Sequence, residues 1–377
     1  MLNQKKILIF GPLNSRGGRE LEAGFIASIL SKSHKVSLCS TTQISANNDI
    51  LLVDKNLNIY KKHLNYTDKI IKRLFKTLTV KQLKVKSLKS REVKSLREMI
   101  IDNDLIIILA QVLSLHIEEV VNIAKRNGKK VIFRTTGTIP LLRKEYKGII
   151  YDLKYLEEVD EYIHHTHINA DSLSRVITHN YSVIDQSIFN EIELMQARKS
   201  RANIKQFYTC SRLDTNKNVG VVIQAFNTLT ELDVELHIYG DGYELSDLKQ
   251  LKRNKNIHFH GHIPYNKLLQ NINKHDCLII SSIEEAGPYT GLEAMCLGIP
   301  VISTRVGSMP ERFKGLDFMW FEHDNVSELK ERITDYINFE TIKIEKIQNE
   351  LTARYDSTYN HKKIQDKYLN TIENYLM

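Results

Sequence analysis

The chain has 377 residues, more than one compact core usually holds, so two domains are expected. Apolar residues make up 42% and charged residues 26%, which excludes a disordered, collagen-like or coiled-coil chain. The formal net charge is +8, and no apolar run approaches the roughly 20 residues that a membrane span needs.

Lys6–Phe10 is an apolar, strand-like run ending in Gly11. It shows no signal-peptide pattern, so a cytoplasmic protein is expected. The Gly11-Pro12-Leu13-Asn14-Ser15-Arg16-Gly17-Gly18 loop follows, then a helix with Leu21, Phe25 and Ile29 on one face. Lys35–Cys39 reads as the next strand. The four cysteines, Cys39, Cys210, Cys277 and Cys296, are scattered without C-x-x-C pairing, as expected of buried thiols in a reducing compartment.

The charge is concentrated in one place. From Lys55 to Glu98 there are 14 Lys and Arg against three acids, a net of +11, so the rest of the chain sums to −3. Ile70, Ile71, Leu74 and Leu78 interleave with Lys69, Lys72, Arg73, Lys76 and Lys81 at near-helical spacing. This predicts a basic amphipathic helix, either a solvated face or one that lies on an anionic membrane surface. Nucleic acid is not expected, since no aromatic-rich stacking surface or zinc spacing accompanies the charge.

Leu105–Leu109 and Val131–Phe133 continue as short apolar strands, with a helical pattern over His116–Ala124. Strand–helix alternation argues for a parallel sheet covered on both faces. Asp102-Asn103-Asp104 imitates a metal-binding D-x-D motif, but it precedes a strand and reads as a helix-to-strand turn. His164, His165 and His167 lack ligand spacing and read as polar residues near a strand end. No metal and no cofactor are expected.

The polar, basic stretch around Arg198, Lys199 and Arg201 reads as a linker. The alternation then repeats through Gln206–Cys210, a helix with Val222, Phe226 and Leu229, and the strand over Val234, Leu236 and Ile238. Beyond the Gly240-Asp241-Gly242 turn come a helix over Leu245, Leu248 and Leu251, and strands at Ile257–His260, Cys277–Ser281 and Val301–Ser303. The expected fold class is α/β, with two Rossmann-like domains of mainly parallel, doubly wound sheet. Their expected bounds are 1–195 and 206–355, with 196–205 as linker and 356–377 as a C-terminal helix returning to the first domain.

The most informative stretch is 281–295. It leaves an apolar strand, turns through Gly287 and Pro288, and enters a helix at Tyr289-Thr290-Gly291 that Gly298 closes. Such a strand-to-helix loop favours a phosphate or another negatively charged ligand, through free N–H groups and the helix dipole. Glu285 lies in the loop and Glu293 about a turn into the helix, where carboxylates accept well from sugar hydroxyls. Arg212 and Lys217 follow the strand ending at Cys210, on an equivalent loop, and suit a pyrophosphate.

In these pieces the chain resembles the retaining glycosyltransferases of the GT4 type, which have the GT-B fold. The resemblance is carried by Ser211-Arg212-Leu213 with Lys217, Tyr239-Gly240-Asp241-Gly242, Gly261, and Ser282 with Glu285 and Glu293. Gly298-Ile299-Pro300-Val301, Gly307 and Glu311 complete it. It implies two domains facing across a cleft and a nucleotide-sugar donor whose sugar passes to a glycan or lipid-linked acceptor in surface polysaccharide synthesis. It further implies that Arg212 and Lys217 hold the diphosphate, that Glu293 accepts from the ribose, and that Glu285 contacts the transferred sugar. Gly287, Tyr289, Thr290 and Gly291 would line the donor, with Gly18 approaching from the first domain. Retention by front-face attack, without metal, is the implied mechanism. The family's first-domain His is missing from Phe133-Arg134-Thr135-Thr136-Gly137, which leaves Arg134 or Thr136 to take its place. A nucleotide-sugar epimerase of the same fold and a non-catalytic sugar-nucleotide-binding protein are the alternatives.

Overall fold

The computed structural model describes residues 4–13, 17–41, 44, 48–60, 66–74, 80–88, 90–114, 116–137, 139, 145–146, 149–150 and 153–377, without the side chains of 66–90, 145–150 and 266. The chain divides into two units, Met1–Phe189 with Lys362–Met377, and Asn190–His361.

In the first unit the strands are β1 (Lys6–Gly11), β2 (Lys35–Ser40), β3 (Asn58–Ile59), β4 (Tyr66–Leu74), β5 (Val80–Leu88), β6 (Leu105–Ala110), β7 (Lys130–Thr135), β8 (Glu145–Tyr146), β9 (Ile149–Ile150), β10 (Glu161–His164) and β11 (Tyr181–Val183). Seven of them form a parallel sheet in the order β11-β10-β7-β6-β1-β2-β3. Every residue of β6 is buried, because helices cover both faces. Side chains alternate between two cores: Leu8, Phe10, Ile106 and Ile108 face one, and Ile7, Ile9, Leu105 and Ile107 the other. The helix Gly18–Leu30 buries Leu21, Phe25 and Ile29. The last helix, His361–Glu373, adds Ile364, Tyr368 and Ile372 to the second core.

The basic stretch departs from the helical expectation. β4 and β5 pair antiparallel, with Asp68 opposite Lys86 and Arg73 opposite Lys81. Ile70, Ile71 and the β-branched Val80 and Val85 suit a strand, and cross-strand pairing overrides the loose helical spacing. Residues 61–65, 75–79 and 89 of this stretch, including Lys61, Lys62, Lys76 and Leu78, lie outside the described residues. Among the described residues no helix is long and apolar enough to cross a membrane.

Arg134 is fully buried. Its Nε donates to Glu22 Oε1 at 2.7 Å, the Tyr368 hydroxyl donates to the same oxygen at 2.7 Å, and its Nη2 meets His165 Nδ1 at 2.8 Å. Burial works against its charge, but Glu22 and the groups around it leave the guanidinium pKa raised. Arg134 is therefore committed to the core rather than to a ligand. Thr136 is nearly buried as well. His164 bonds Thr135 Oγ1 at 2.9 Å and His179 Nε2 at 3.1 Å, and burial pushes it down to about 3. His164 and His165 thus belong to separate networks, and no group of metal-ligating side chains occurs among the described residues. Asp102 pairs with Lys6, and Asp104 accepts from the Lys6 N–H at 2.8 Å, both closing a turn into β6.

In the second unit β12 (Gln206–Cys210), β13 (Glu235–Tyr239), β14 (Ile257–Gly261), β15 (Cys277–Ile280) and β16 (Val301–Ser303) form a parallel sheet in the order β14-β13-β12-β15-β16. Residues 196–205, read above as a linker, lie within this unit. The Arg198 guanidinium grips Asp356 with bonds of 2.9 and 2.7 Å, and the buried Arg201 donates to the carbonyls of His275 and Leu297. Cys39, Cys277 and Cys296 are buried and Cys210 half-buried, all as free thiols.

The Glu22–Arg134 pair yields a stability test. Glu22→Gln leaves a buried guanidinium without its counter-charge, which should cost about 3–5 kcal/mol. Guanidinium unfolding curves measure this, and a loss below about 1 kcal/mol, the range of an exposed pair, would contradict the burial described.

Candidate functional site

The chain order of the second sheet fixes where a ligand belongs. From β12 the chain winds outward through β13 to β14, then returns to β15 on the other side of β12 and continues to β16. The connections leave the carboxyl ends of β12 and β15 in opposite directions, which opens a crevice there. The loop after β12 carries Arg212 and Lys217, and the loop after β15 carries Glu285.

Backbone and side-chain bonds join the two loops. Ile283 N–H donates to Asn216 O at 2.8 Å, Asn216 Nδ2 to Glu284 O at 2.6 Å, and Ser281 Oγ to Lys217 O at 2.8 Å. Lys217 Nζ forms an ion pair with Glu285 Oε1, and Ser282 Oγ donates to the same oxygen at 2.9 Å. Both charged side chains are largely buried, so the pair is less screened than a surface bridge. Arg212 differs. Its side chain is 78% exposed and only loosely paired, with Nη2 3.6 Å from Asp214 Oδ2. One cation of the candidate pair is thus fixed and the other extends into solvent.

Two glycines set the loop positions. Gly240 has φ of 131°, and a Cβ there would stand 1.8 Å from Ser211 O, inside the loop that presents Arg212. Gly307 has φ of 51°, and its Cβ would stand 2.2 Å from Ala286 O, next to Glu285. The following N–H, of Ser308, donates to that same carbonyl at 2.8 Å.

The helix Tyr289–Leu297 starts after Pro288, whose carbonyl accepts from Gly291 N–H at 3.1 Å and from the buried Arg312 Nη1 at 2.7 Å. It ends at Gly298 in the left-handed conformation. Gly287, Tyr289 and Thr290 are half-buried, whereas Gly291 is buried, and a Cβ on it would stand 2.7 Å from Met309 Sδ. Gly291 therefore serves packing, with its N–H already bonded. Glu293 is buried, accepts from the Tyr265 hydroxyl, and is pushed up to about 7 by burial against the opposing pull of that bond. Gly18 lies in the first unit as the first residue of its helix, half-buried.

The second unit thus brings Lys217, Ser282 and Glu285 together, leaves Arg212 exposed on the same loop as Lys217, and gives Glu293 a separate partner. Tyr265 and Asn190, whose Oδ1 lies 3.2 Å from the Tyr265 hydroxyl, were not expected. The available signal was Pro264-Tyr265, an aromatic residue opening a helix just after β14.

Residues 190–352 match the family model described as Glycosyl transferases group 1. The second unit is similar to that family along nearly its whole length. A stretch of 139 residues is 31% identical to the N-acetyl-alpha-D-glucosaminyl L-malate synthase of Bacillus anthracis, covering 35% of this chain and 36% of that protein. The chain thus matches little more than a third of that relative's length. Whole-chain similarity comes from solved structures. The Anabaena Alr3699/HepE structure in complex with UDP has a TM-score of 0.74 at 16% identity, covering 98% of this chain and 100% of that one. A glycosyltransferase from Rickettsia africae has a TM-score of 0.75 at 16% identity, with 99% of both chains covered. The fold is of the GT-B type, built of two Rossmann-like units.

The Gly307 contact makes a direct prediction for the second unit. Gly307→Ala meets both positive φ and the Ala286 carbonyl, so its unfolding free energy should fall by about 1–3 kcal/mol. Thermal melts against Gly315→Ala, a positive-φ site with open space around its Cβ, separate the two effects. Equal losses in both variants would mean that the close approach to Ala286 does not matter.

Proposed function

We propose that this protein transfers a sugar from a nucleotide-sugar donor to a glycan or lipid-linked acceptor, with retention of configuration, in surface polysaccharide synthesis. The observation that carries this reading is the Lys217–Glu285 contact at the crevice between the β12 and β15 loops. The UDP in the Anabaena relative's structure supports a nucleotide donor.

In this reading Lys217 and the exposed Arg212 hold the donor's diphosphate. As the bond from the anomeric carbon to phosphate breaks, negative charge grows on the leaving group and positive charge on the sugar. Lys217 stabilises the former and Glu285 the latter, and fixed charges need no reorganisation as the reaction proceeds. Ser282 and Asn216 keep the two loops and the Glu285 carboxylate in register. Glu293 accepts from the ribose, and Gly287, Tyr289 and Thr290 line the sugar and phosphate. The acceptor hydroxyl attacks from the face that the leaving group departs and passes its proton to the departing phosphate oxygen, so no enzyme nucleophile is needed. Lys217, Arg212 and the helix beginning at Tyr289 supply the positive charge that a metal supplies elsewhere. The basic stretch Lys55–Glu98, with its β4–β5 pair, holds the protein at an anionic membrane surface on the cytoplasmic side.

A screen of UDP-, GDP- and ADP-sugars for release of the nucleoside diphosphate identifies the donor. Lys217→Ala and Arg212→Ala should each lose about ten- to a hundredfold in kcat/KM. Glu285→Gln should lower kcat by about 10²–10³. Activity should survive excess chelator. Unchanged kinetics in all three variants would remove the assignment, and an interconverted donor sugar with no net release would identify an epimerase. Vesicles give a separate test, because binding should require anionic lipid and fall with salt, at about 1 kcal/mol per basic residue at most. Equal binding to neutral vesicles would leave the basic stretch as a solvated surface.

A further inference from the structure

The environment of Glu293 holds more than a ribose carboxylate requires. The Tyr265 hydroxyl opens the helix Tyr265–Ile272, bonds Glu293 Oε1, and lies 3.2 Å from Asn190 Oδ1. One hydroxyl proton thus faces two acceptors on different elements. Tyr208 OH and Asn190 Nδ2 are buried with no hydrogen-bond partner among the described residues. Tyr208 and Cys210 are close enough for the charge of Glu293, after burial itself, to raise their pKa values. Buried polar atoms left unpaired beside a buried carboxylate are what a polar ligand's hydroxyl groups would satisfy.

We propose that Tyr265 is a positioning residue of the donor site, whose hydroxyl orients the Glu293 carboxylate for the ribose diol of the nucleotide sugar. This rests on the ribose role given to Glu293 above.

The chemistry behind it is one of protonation. A ribose diol donates hydrogen bonds, and only an ionised carboxylate accepts two of them without a proton of its own in the way. Burial pushes Glu293 up to about 7, and the Tyr265 bond is the contact that pulls it back. Titratable groups among the described residues that face Glu293 or Tyr265 include Tyr208, Cys210 and Tyr289. Burial drives Tyr208 and Tyr265 well above the usual phenol range and Cys210 up to about 12, so all three stay neutral between pH 6 and 9. Glu293, pushed up to about 7, lies within that window. Below about pH 7 each unit should reduce donor affinity roughly tenfold, because binding must first remove the proton.

The test is calorimetric binding of UDP-, GDP- and ADP-glucose from pH 6 to 9, taking the tightest as probe. The phosphates of these diphosphate diesters carry no proton that titrates in this range, unlike those of the free nucleoside diphosphates. Tyr265→Phe should move the midpoint of the affinity–pH curve upward by about one unit or more, since a charge-assisted bond is lost. At pH 9, where Glu293 is ionised regardless, its affinity should return close to that of the unaltered protein. Asn190→Ala removes the competing acceptor, leaves the Tyr265 proton to Glu293, and should shift the midpoint downward. A Tyr265→Phe protein that binds more weakly at every pH with an unmoved midpoint, or no shift in either variant, overturns the proposal. Glu293→Gln separates this failure from the other. If it binds as tightly as the unaltered protein, or if none of the three nucleotide sugars binds, the ribose assignment itself fails.

Discussion

A lysine and a glutamate meet where β12 and β15 part, and the arrangement of the second unit is organised around that contact. Lys217 and Glu285 come from loops 68 residues apart in sequence. They reach each other because the sheet reverses its winding between the two strands, so both loops emerge at the same end and beside the same crevice. Asn216, Ser281 and Ser282 bond across the gap, and the turns at Gly240 and Gly307 press against the outer sides of the same loops. Each glycine allows a backbone approach that a Cβ would block. The pair of opposite charges is therefore held by backbone geometry more than by its own attraction.

The buried charges fall into two kinds. In the first unit Arg134, Glu22, Tyr368 and His165 join the core to the last helix, and the guanidinium bonds in several directions. Such a network is fixed by its bonds, and removing one member leaves the others unpaired. Glu293 in the second unit is the opposite case. It is buried and accepts from the Tyr265 phenol, so its protonation responds to what else approaches. Burial beside a counter-charge, as for Glu22, makes structure. Burial beside the Tyr265 phenol leaves Glu293 a carboxyl that can gain or lose a proton.

Much of this was legible in the sequence. The apolar runs Lys6–Phe10, Leu105–Leu109 and Cys277–Ser281 mark strands covered on both faces, and Gly298-Ile299-Pro300 marks a helix end and the next strand's start. The Lys217 and Glu285 loops were marked as equivalent loops of one sheet. What the sequence left hidden depends on long-range pairing. The spacing of Ile70, Ile71 and Leu74 resembles a helix until β5 pairs alongside. Arg134 was one of two residues, with Thr136, expected to face the ligand, and only the position of Glu22, 112 residues earlier, shows that it belongs to the core. Tyr265 carried no signal stronger than a Pro-Tyr step, since its importance comes from a carboxylate 28 residues further on.

The most direct measurement is a crystal structure of the protein soaked with its tightest-binding nucleotide sugar. The account predicts the diphosphate against Lys217 and Arg212, the ribose hydroxyls on Glu293, and the sugar beside Glu285. A nucleotide seated elsewhere, with the Lys217–Glu285 pair undisturbed and no contact to either loop, would contradict it.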